Sequence, residues 1–276
     1  MTKTWFITGT STGLGRLLTE RLLERGDRVV ATLRRPEALK TLTEKYGDQL
    51  HVFTLDVTDT HAINEVVTEA FQRVGHIDIV VSNAGYALFG AAEEASDAQI
   101  ERQIATNLVG SIQLIRAVLP YLRAQGGGRI VQLSSEGGQI AYPNFSLYHA
   151  TKWGIEGFVE SVAQEVAPFD IDFLIVEPGP TGTNFVEGLD RAQTMACYED
   201  SPAGEVRRAV ASGAFTIKGD AARTVDAMIA ATDMTNPPLR LALGSTAYTS
   251  ISQALTQRLG LLEKQKDVAQ SADRNN

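Results

Sequence analysis

A phenol and an amine one helical turn apart can work on the same proton, and Tyr148 and Lys152 stand in that relation within a helical pattern. Residues four apart project from one helix face, so both side chains can meet one ligand. A free tyrosine, with a pKa of about 10, is a poor base near neutrality. An ammonium about 5–6 Å away at an effective dielectric of about 20 favours tyrosinate by roughly 3 kcal/mol, or about two pKa units. The pair is therefore expected to lower the Tyr148 pKa into a working range. Ser135 stands thirteen residues before Tyr148, just past an apolar run, with a hydroxyl able to donate to a substrate oxygen. Asn107 falls in the middle of a long helical pattern, where asparagine is a poor helix former, and invites a water-bridging role. Each residue alone has a plainer reading, as packing, a solvated amine, a turn or a surface amide. Their order and spacing together favour proton transfer to or from a bound oxygen.

A second constellation binds anions. Gly9, Thr10, Ser11, Thr12, Gly13 and Leu14 lie between an apolar run and an amphipathic stretch, with Gly15 following. A turn without side chains lets the backbone approach a pyrophosphate, and the next helix offers unpaired N–H groups and its positive end. The spacing is Gly-x-x-x-Gly-x-Gly, not the Gly-x-Gly-x-x-Gly dinucleotide fingerprint. At the end of the second apolar run, where an acid would hold the ribose hydroxyls of NAD, stand Leu33, Arg34 and Arg35. Guanidinium groups in place of a carboxylate favour a 2′-phosphate, so the expected cofactor is NADP(H).

A parallel sheet must gather these residues. Strands are predicted at Thr4–Thr8, Arg28–Leu33, His51–Leu55, Asp78–Ser82, Arg129–Leu133, Asp172–Val176 and Arg240–Leu243. Most are near-continuously apolar, as strands buried on both faces should be, and they alternate with helical patterns. The expected fold is α/β, a doubly wound parallel seven-stranded sheet with helices on both faces. Gly26 and Gly75 read as helix ends, Pro36 as a first helical position, and Asp59 as the cap of a helix over His61–Val74. Ser96 and Gln99 form a capping box opening one long helix toward Arg123, before Gly126, Gly127 and Gly128 break it. Another helix is predicted from Leu147 to Ala167, ahead of Pro168. One domain is expected over residues 1–263. Within it, 184–219 reads as a substrate lid, and 264–276 follows as a polar, frayed tail.

Composition narrows the partners. Of the 276 residues, 43% are hydrophobic and 21% charged, an ordinary globular balance. No apolar stretch approaches the ~18–20 residues of a membrane span. The first strand begins too early to leave space for an export signal, so a cytoplasmic location is expected. Cys197, the lone cysteine, cannot form an internal disulfide, and a net charge of -8 opposes binding to nucleic acid or anionic membrane. The expected partner is a small carbonyl or alcohol, with no metal site.

The chain resembles a compact short-chain dehydrogenase/reductase. The resemblance rests on Thr8-Gly9-x-x-x-Gly13-x-Gly15, Asn83-Ala84-Gly85, Asn107, Ser135, Tyr148-x-x-x-Lys152 and Pro178-Gly179, and spans roughly residues 4 to 183. It implies a Rossmann-type sheet of strand order 3-2-1-4-5-6-7, with Asp56 and Val57 near the adenine, and with Pro178, Gly179, Thr181 and Thr183 flanking the nicotinamide. It also implies that Ser135 and Tyr148 polarise a carbonyl, that Lys152 holds the ribose, and that Asn107 anchors a relay water. Arg34 falls where NADP-preferring members carry an arginine. Thr12 stands where some of those members carry a basic residue, so the phosphate is expected on Arg34 and Arg35. Glu136 is acidic where a neutral residue is expected and would disfavour anionic substrates, and His149 is expected to be structural. A homodimer or homotetramer is implied by resemblance alone.

Substrate identity is expected from the lid, whose Phe185, Leu189, Met195, Tyr198 and Phe215 either line a lipophilic pocket or merely pack the lid down. The stretch from Ser135 to Tyr148 resembles hydroxysteroid and retinol dehydrogenases, implying an apolar ketone or secondary alcohol. A 3-oxoacyl-thioester reductase is an alternative, as is an NADP(H)-sensing module without turnover, although a sensor needs no proton donor.

Overall fold

The structure, a computed structural model, describes residues 2–213 and 217–274. Among the described residues, nine strands run β1 Thr4–Thr8, β2 Arg28–Leu33, β3 Leu50–Thr54, β4 Ile79–Ser82, β5 Leu88–Phe89, β6 Gly128–Leu133, β7 Ile171–Pro178, β8 Asp190–Arg191 and β9 Arg240–Leu243. The helices are α1 Gly13–Glu24, α2 Lys40–Tyr46, α3 Thr60–Val74, α4 Asp97–Ile104, α5 Gly110–Ala124, α6 Ser146–Val166, α7 Pro202–Ala211, α8 Ala221–Asp233, α9 Ser245–Glu263 and α10 Lys266–Ser271. The seven expected strands form one sheet in the order β3-β2-β1-β4-β6-β7-β9. Every pairing in it is parallel.

Neighbouring residues of a strand point to opposite faces, and here both faces are apolar. Phe6, Val30, Val80, Ile130, Phe173 and Ile175 join one core with α3, α5 and α6. Trp5, Ile7, Val29, Val81, Val131, Leu174 and Val176 join a second core with α1, α2 and α8. Each fully buried side chain of this size contributes roughly 1.5–3 kcal/mol, so the sheet is held from both sides and its carboxyl edge is left for the loops.

Local caps behave as read. Asp59 accepts from the Ala62 N–H at 3.0 Å, and Gly75 ends α3 with φ +76°. Ser96 and Gln99 close their reciprocal box at α4. The single long helix that follows in the sequence reading does not form. The five-residue π-turn Ala105–Val109 separates α4 from α5, with Asn107 at its centre. Such turns often mark functional positions. The tail is also more ordered than expected, since α10 covers part of 264–276, although its residues are exposed. Among its described residues, the segment 184–219, the expected lid, contains β8 and α7, and β8 pairs with β5 in a second, two-stranded sheet. Helices α8 and α9, unassigned from the sequence, cover the sheet beside β9. Among the described residues no helix is long and apolar enough to cross a membrane, and no cluster of metal-ligating side chains occurs.

Candidate active site

The glycine loop leaves β1 and turns back sharply. Gly9 and Gly13 have φ of +72° and +60°, a conformation that a side chain would strain. Gly15 is excluded from being anything larger by packing, because a Cβ there would lie 2.3 Å from Asn83 Nδ2 and 2.4 Å from the Gly9 carbonyl. Asn83 in turn donates to the Thr8 and Gly9 carbonyls at 2.7 and 3.1 Å, while the Thr8 hydroxyl accepts from the Asn83 and Ala84 N–H groups at 3.0 Å each. The Asn83-Ala84-Gly85 turn therefore clamps the loop.

The first backbone bond at the start of α1 runs from the Arg16 N–H to the Thr12 carbonyl, and the Thr12 side chain does not cap the helix. The N–H groups ahead of Arg16 are thus left for an anion. Ser11 and Thr12 are exposed, and Gly13 and Leu14 partly so. Thr10 differs from the sequence expectation. It is fully buried, and both its N–H and its hydroxyl donate to the Thr32 carbonyl at 3.2 Å, so it ties the loop to β2 and has no donor left for a ligand.

Arg34 and Arg35 leave β2 at the same sheet edge, both exposed. Across from them, the Asp56 carboxylate accepts from the Thr58 N–H and hydroxyl at 2.9 and 2.8 Å. Partial burial pushes Asp56 up, but these bonds and the Arg34 charge hold it below the ordinary range. Val57 packs against the start of α5, where a Cβ at Gly110 would meet the Val57 carbonyl at 2.6 Å. Beyond β7, the Gly179 N–H donates to Leu243 and the Thr181 hydroxyl to the Gly179 carbonyl at 2.8 Å. Thr181 also bridges Gly219, so the segment carrying Pro178, Gly179, Thr181 and Thr183 is strapped to the far end of the lid.

Tyr148, Lys152 and Ser135 meet where β6 ends. Lys152 Nζ lies 5.6 Å from the Tyr148 ring centre and donates to the Leu133 carbonyl at 2.8 Å. The Ser135 hydroxyl accepts from the Gly137 N–H at 3.1 Å and favours the ionised form of the Tyr148 phenol. The two side chains meet at the end of β6 as the sequence reading expected, but the expected lowering of the Tyr148 pKa is reversed. Burial pushes Tyr148 up to about 12, opposed by Ser135 and assisted by the Glu136 and Glu156 charges. The same burial pulls Lys152 down to about 8, against the pull of Glu156. Desolvation is the largest influence on each of the two groups. Tyr148 is consequently held as a proton donor.

Asn107 is buried, and its carboxamide is committed. Nδ2 donates to the Tyr86 carbonyl at 2.7 Å and to Thr151 Oγ1 at 3.4 Å, while Oδ1 accepts from the Tyr86 N–H at 3.1 Å. Both amide hydrogens are used. The side chain therefore joins the loop after β4 to α6. His149 is packed between Tyr142 and Phe145, its ring nitrogens unpartnered and its pKa pulled down to about 4 by burial, which keeps it neutral. Glu136 is buried at 4% exposure with Oε2 unpartnered, and burial raises its pKa against a Ser250 hydrogen bond.

Of the lid residues, Phe185 lies edge-on to Tyr148 at 5.8 Å, and Leu189 is buried in a cluster with Phe89, Phe145 and Tyr148. Met195 and Tyr198 are elsewhere, anchoring the lid to Glu94 and Glu93 by hydrogen bonds of 2.8 Å. Phe215 lies outside the described residues. Tyr142 and Phe145 belong to the apolar wall and were missed by the sequence reading. The aromatic residues Tyr142, Phe145 and Tyr148 recurring every three positions were the available signal.

Known proteins resemble this chain in sequence and fold. The family model described as short chain dehydrogenase matches residues 3–194. Oxidoreductase BOA17 of Botryotinia fuckeliana is 36% identical over 92% of this chain and 93% of its own length. The 3-ketodihydrosphingosine reductase of Bacteroides thetaiotaomicron is 33% identical over 70% of each chain. The crystal structure of a short-chain dehydrogenase from Streptomyces avermitilis superposes with a TM-score of 0.92 at 36% identity, covering 99% of this chain and 100% of the other. A serine dehydrogenase complexed with NADP+ superposes with a TM-score of 0.74 at 27% identity, covering 87% of this chain and 94% of the other. Sequence, fold and strand order agree, and the chain belongs to the short chain dehydrogenase family of oxidoreductases.

Proposed function

We propose that the chain is an NADP(H)-dependent reductase of apolar ketones, or dehydrogenase of the corresponding secondary alcohols. The observation that carries this reading is the convergence of Ser135, Tyr148 and Lys152 at the carboxyl edge of β6, with the Tyr148 phenol protonated. Gly9, Ser11, Thr12, Gly13 and Leu14 would hold the pyrophosphate through the turn and the unpaired N–H groups of α1. Arg34 and Arg35 would take the 2′-phosphate, and Asp56 and Val57 would border the adenine. Asn83, Ala84 and Gly85 hold the loop in shape, Lys152 would meet the ribose, and Pro178, Gly179, Thr181 and Thr183 would flank the nicotinamide. When bound, NADPH supplies the hydride. Ser135 polarises the substrate oxygen and Tyr148 delivers the proton to it, while the Lys152 charge stabilises the tyrosinate left behind.

The apolar wall of Tyr142, Phe145, Phe185 and Leu189 favours a lipophilic substrate, and the reductase of a 3-keto compound among the relatives supports a ketone. The test is NADPH oxidation across a panel of apolar ketones. Tyr148→Phe should lower kcat by about 10²–10⁴-fold while leaving NADPH binding intact. Equal rates in wild type and variant would remove the reading. Replacing Arg34 and Arg35 together by alanine should weaken NADPH binding about tenfold or more and leave NADH binding unchanged.

A further inference from the structure

One turn beyond Lys152, the same face of α6 carries another buried polar residue. Glu156 is 2% exposed, with the Ser134 hydroxyl donating to its Oε1 and Arg240 Nη1 donating to its Oε2 at 2.5 Å. A Cβ at Gly138 would stand 1.7 Å from Glu156 Oε1, so only glycine lets the Ser134–Gly138 segment close over the carboxylate. That segment contains Ser135. Arg240, on β9, also meets Glu177 of β7 at 2.5 Å and Glu160 of α6 at 3.0 Å. Gln139 donates to both Glu177 oxygens at 2.9 Å. The proton chemistry of Tyr148 and Lys152 uses none of these side chains directly, yet they back onto it from three elements.

We propose that Glu156, clamped by Arg240, is a positioning residue that fixes the Ser134–Ser135 segment against Tyr148 and supplies the countercharge that keeps Lys152 cationic during carbonyl reduction. The groups facing Glu156 are Lys152 and Glu160 from α6, Arg240 from β9, Glu177 from β7 and Ser134 from the loop after β6. Burial is the larger influence on Lys152 and lowers its pKa, and Glu156 is the carboxylate that opposes this. Glu177 touches the same arginine but neither Ser134 nor Lys152, and its charge acts on Glu156 only by opposing ionisation, so removing it leaves Glu156 charged and serves as an internal control.

The inference rests on the carbonyl-reduction reading of the site. Its test is the pH profile of NADPH-dependent ketone reduction in the full chain, with thermal unfolding measured alongside. Glu156→Gln should move the alkaline fall in kcat to lower pH by about one unit or more, with a reduced kcat and an unchanged NADPH Kd. Glu177→Gln should lower the unfolding temperature without moving the profile. Glu156→Asp keeps the charge but shortens the reach to Ser134. It should therefore hold the profile in place while lowering kcat, and this variant decides the matter if Glu156→Gln does not fold. An unmoved profile in Glu156→Gln, an equal shift in Glu177→Gln, or a wild-type kcat in Glu156→Asp overturns the inference. If Tyr148→Phe is inactive while Glu156→Gln equals wild type, only this inference fails. A wild type that reduces no carbonyl removes both.

Discussion

Lys152 holds an ammonium in a place where burial opposes charge. Its ordinary value of 10.5 falls to about 8, so between those pH values the unfolded chain binds a proton that the folded chain does not. Stability from this residue therefore rises as pH increases from about 8 to about 10.5, and its cost is fully present below 8. Lys152→Met removes that cost, which is at most about 3 kcal/mol by the pKa displacement. The variant should lose ketone reduction while unfolding several degrees higher than wild type at pH 7, with the gap narrowing toward pH 10. Calorimetry at both pH values checks this, and a variant that melts lower at pH 7 would contradict it. The same burial explains why Tyr148 and Lys152 were legible from spacing but their charge state was not. Four-residue spacing fixes a shared face, whereas desolvation depends on the loops and strands packed over that face, which come from elsewhere in the chain.

Elements read well where their causes are local. The strand, glycine turn and helix at Thr4–Glu24 follow from consecutive residues, and so does the α3 cap. The interruption of the predicted long helix at Asn107 has a distant cause, since the carboxamide exchanges hydrogen bonds with Tyr86, a residue of the loop after β4. The two-residue strands β5 and β8 are too short to show a period and pair across about a hundred residues, so the lid read only as an irregular insertion. Its attachment is specific. Buried Glu94 accepts from Arg207 of α7 at 2.8 and 2.9 Å, from the Met195 N–H at 2.8 Å and from the Ala91 N–H at 2.8 Å. Burial pushes Glu94 up, and these four bonds hold it below the ordinary carboxylate range, so it stays charged at neutral pH. Glu94→Gln keeps the shape but removes the charge that Arg207 needs. It should raise KM for the ketone about fivefold or more, with NADPH affinity unchanged, because a charge-assisted bond is worth about 1.5–3 kcal/mol and the phosphate loop is remote from the latch. Hydrogen exchange across 190–211 should quicken in the variant, and unaltered exchange there would show that Glu94 does not restrain the lid.

At the scale of the molecule, the two apolar cores share every central strand of one sheet, so neither can be lost without uncovering the other. Unfolding is expected as one cooperative transition, with circular dichroism and tryptophan fluorescence coincident, because Trp5 belongs to the core on the α1 face. The carboxyl-terminal region divides sharply in its attachment. Within α9, Ala247 and Ile251 are buried, and Arg258 donates to the Gln139 carbonyl at 2.7 Å while stacking over Trp153 at 4.9 Å. Past Glu263, every described residue is exposed. Truncation after Glu263 should therefore shift the unfolding temperature by no more than about 2 °C and leave ketone reduction intact. Truncation after Gly244 removes the helix that covers Glu136 and Gly179 and should abolish the cooperative transition. If removal of 264–276 alone destabilised the chain or changed its kinetics, α10 would have a partner surface of its own.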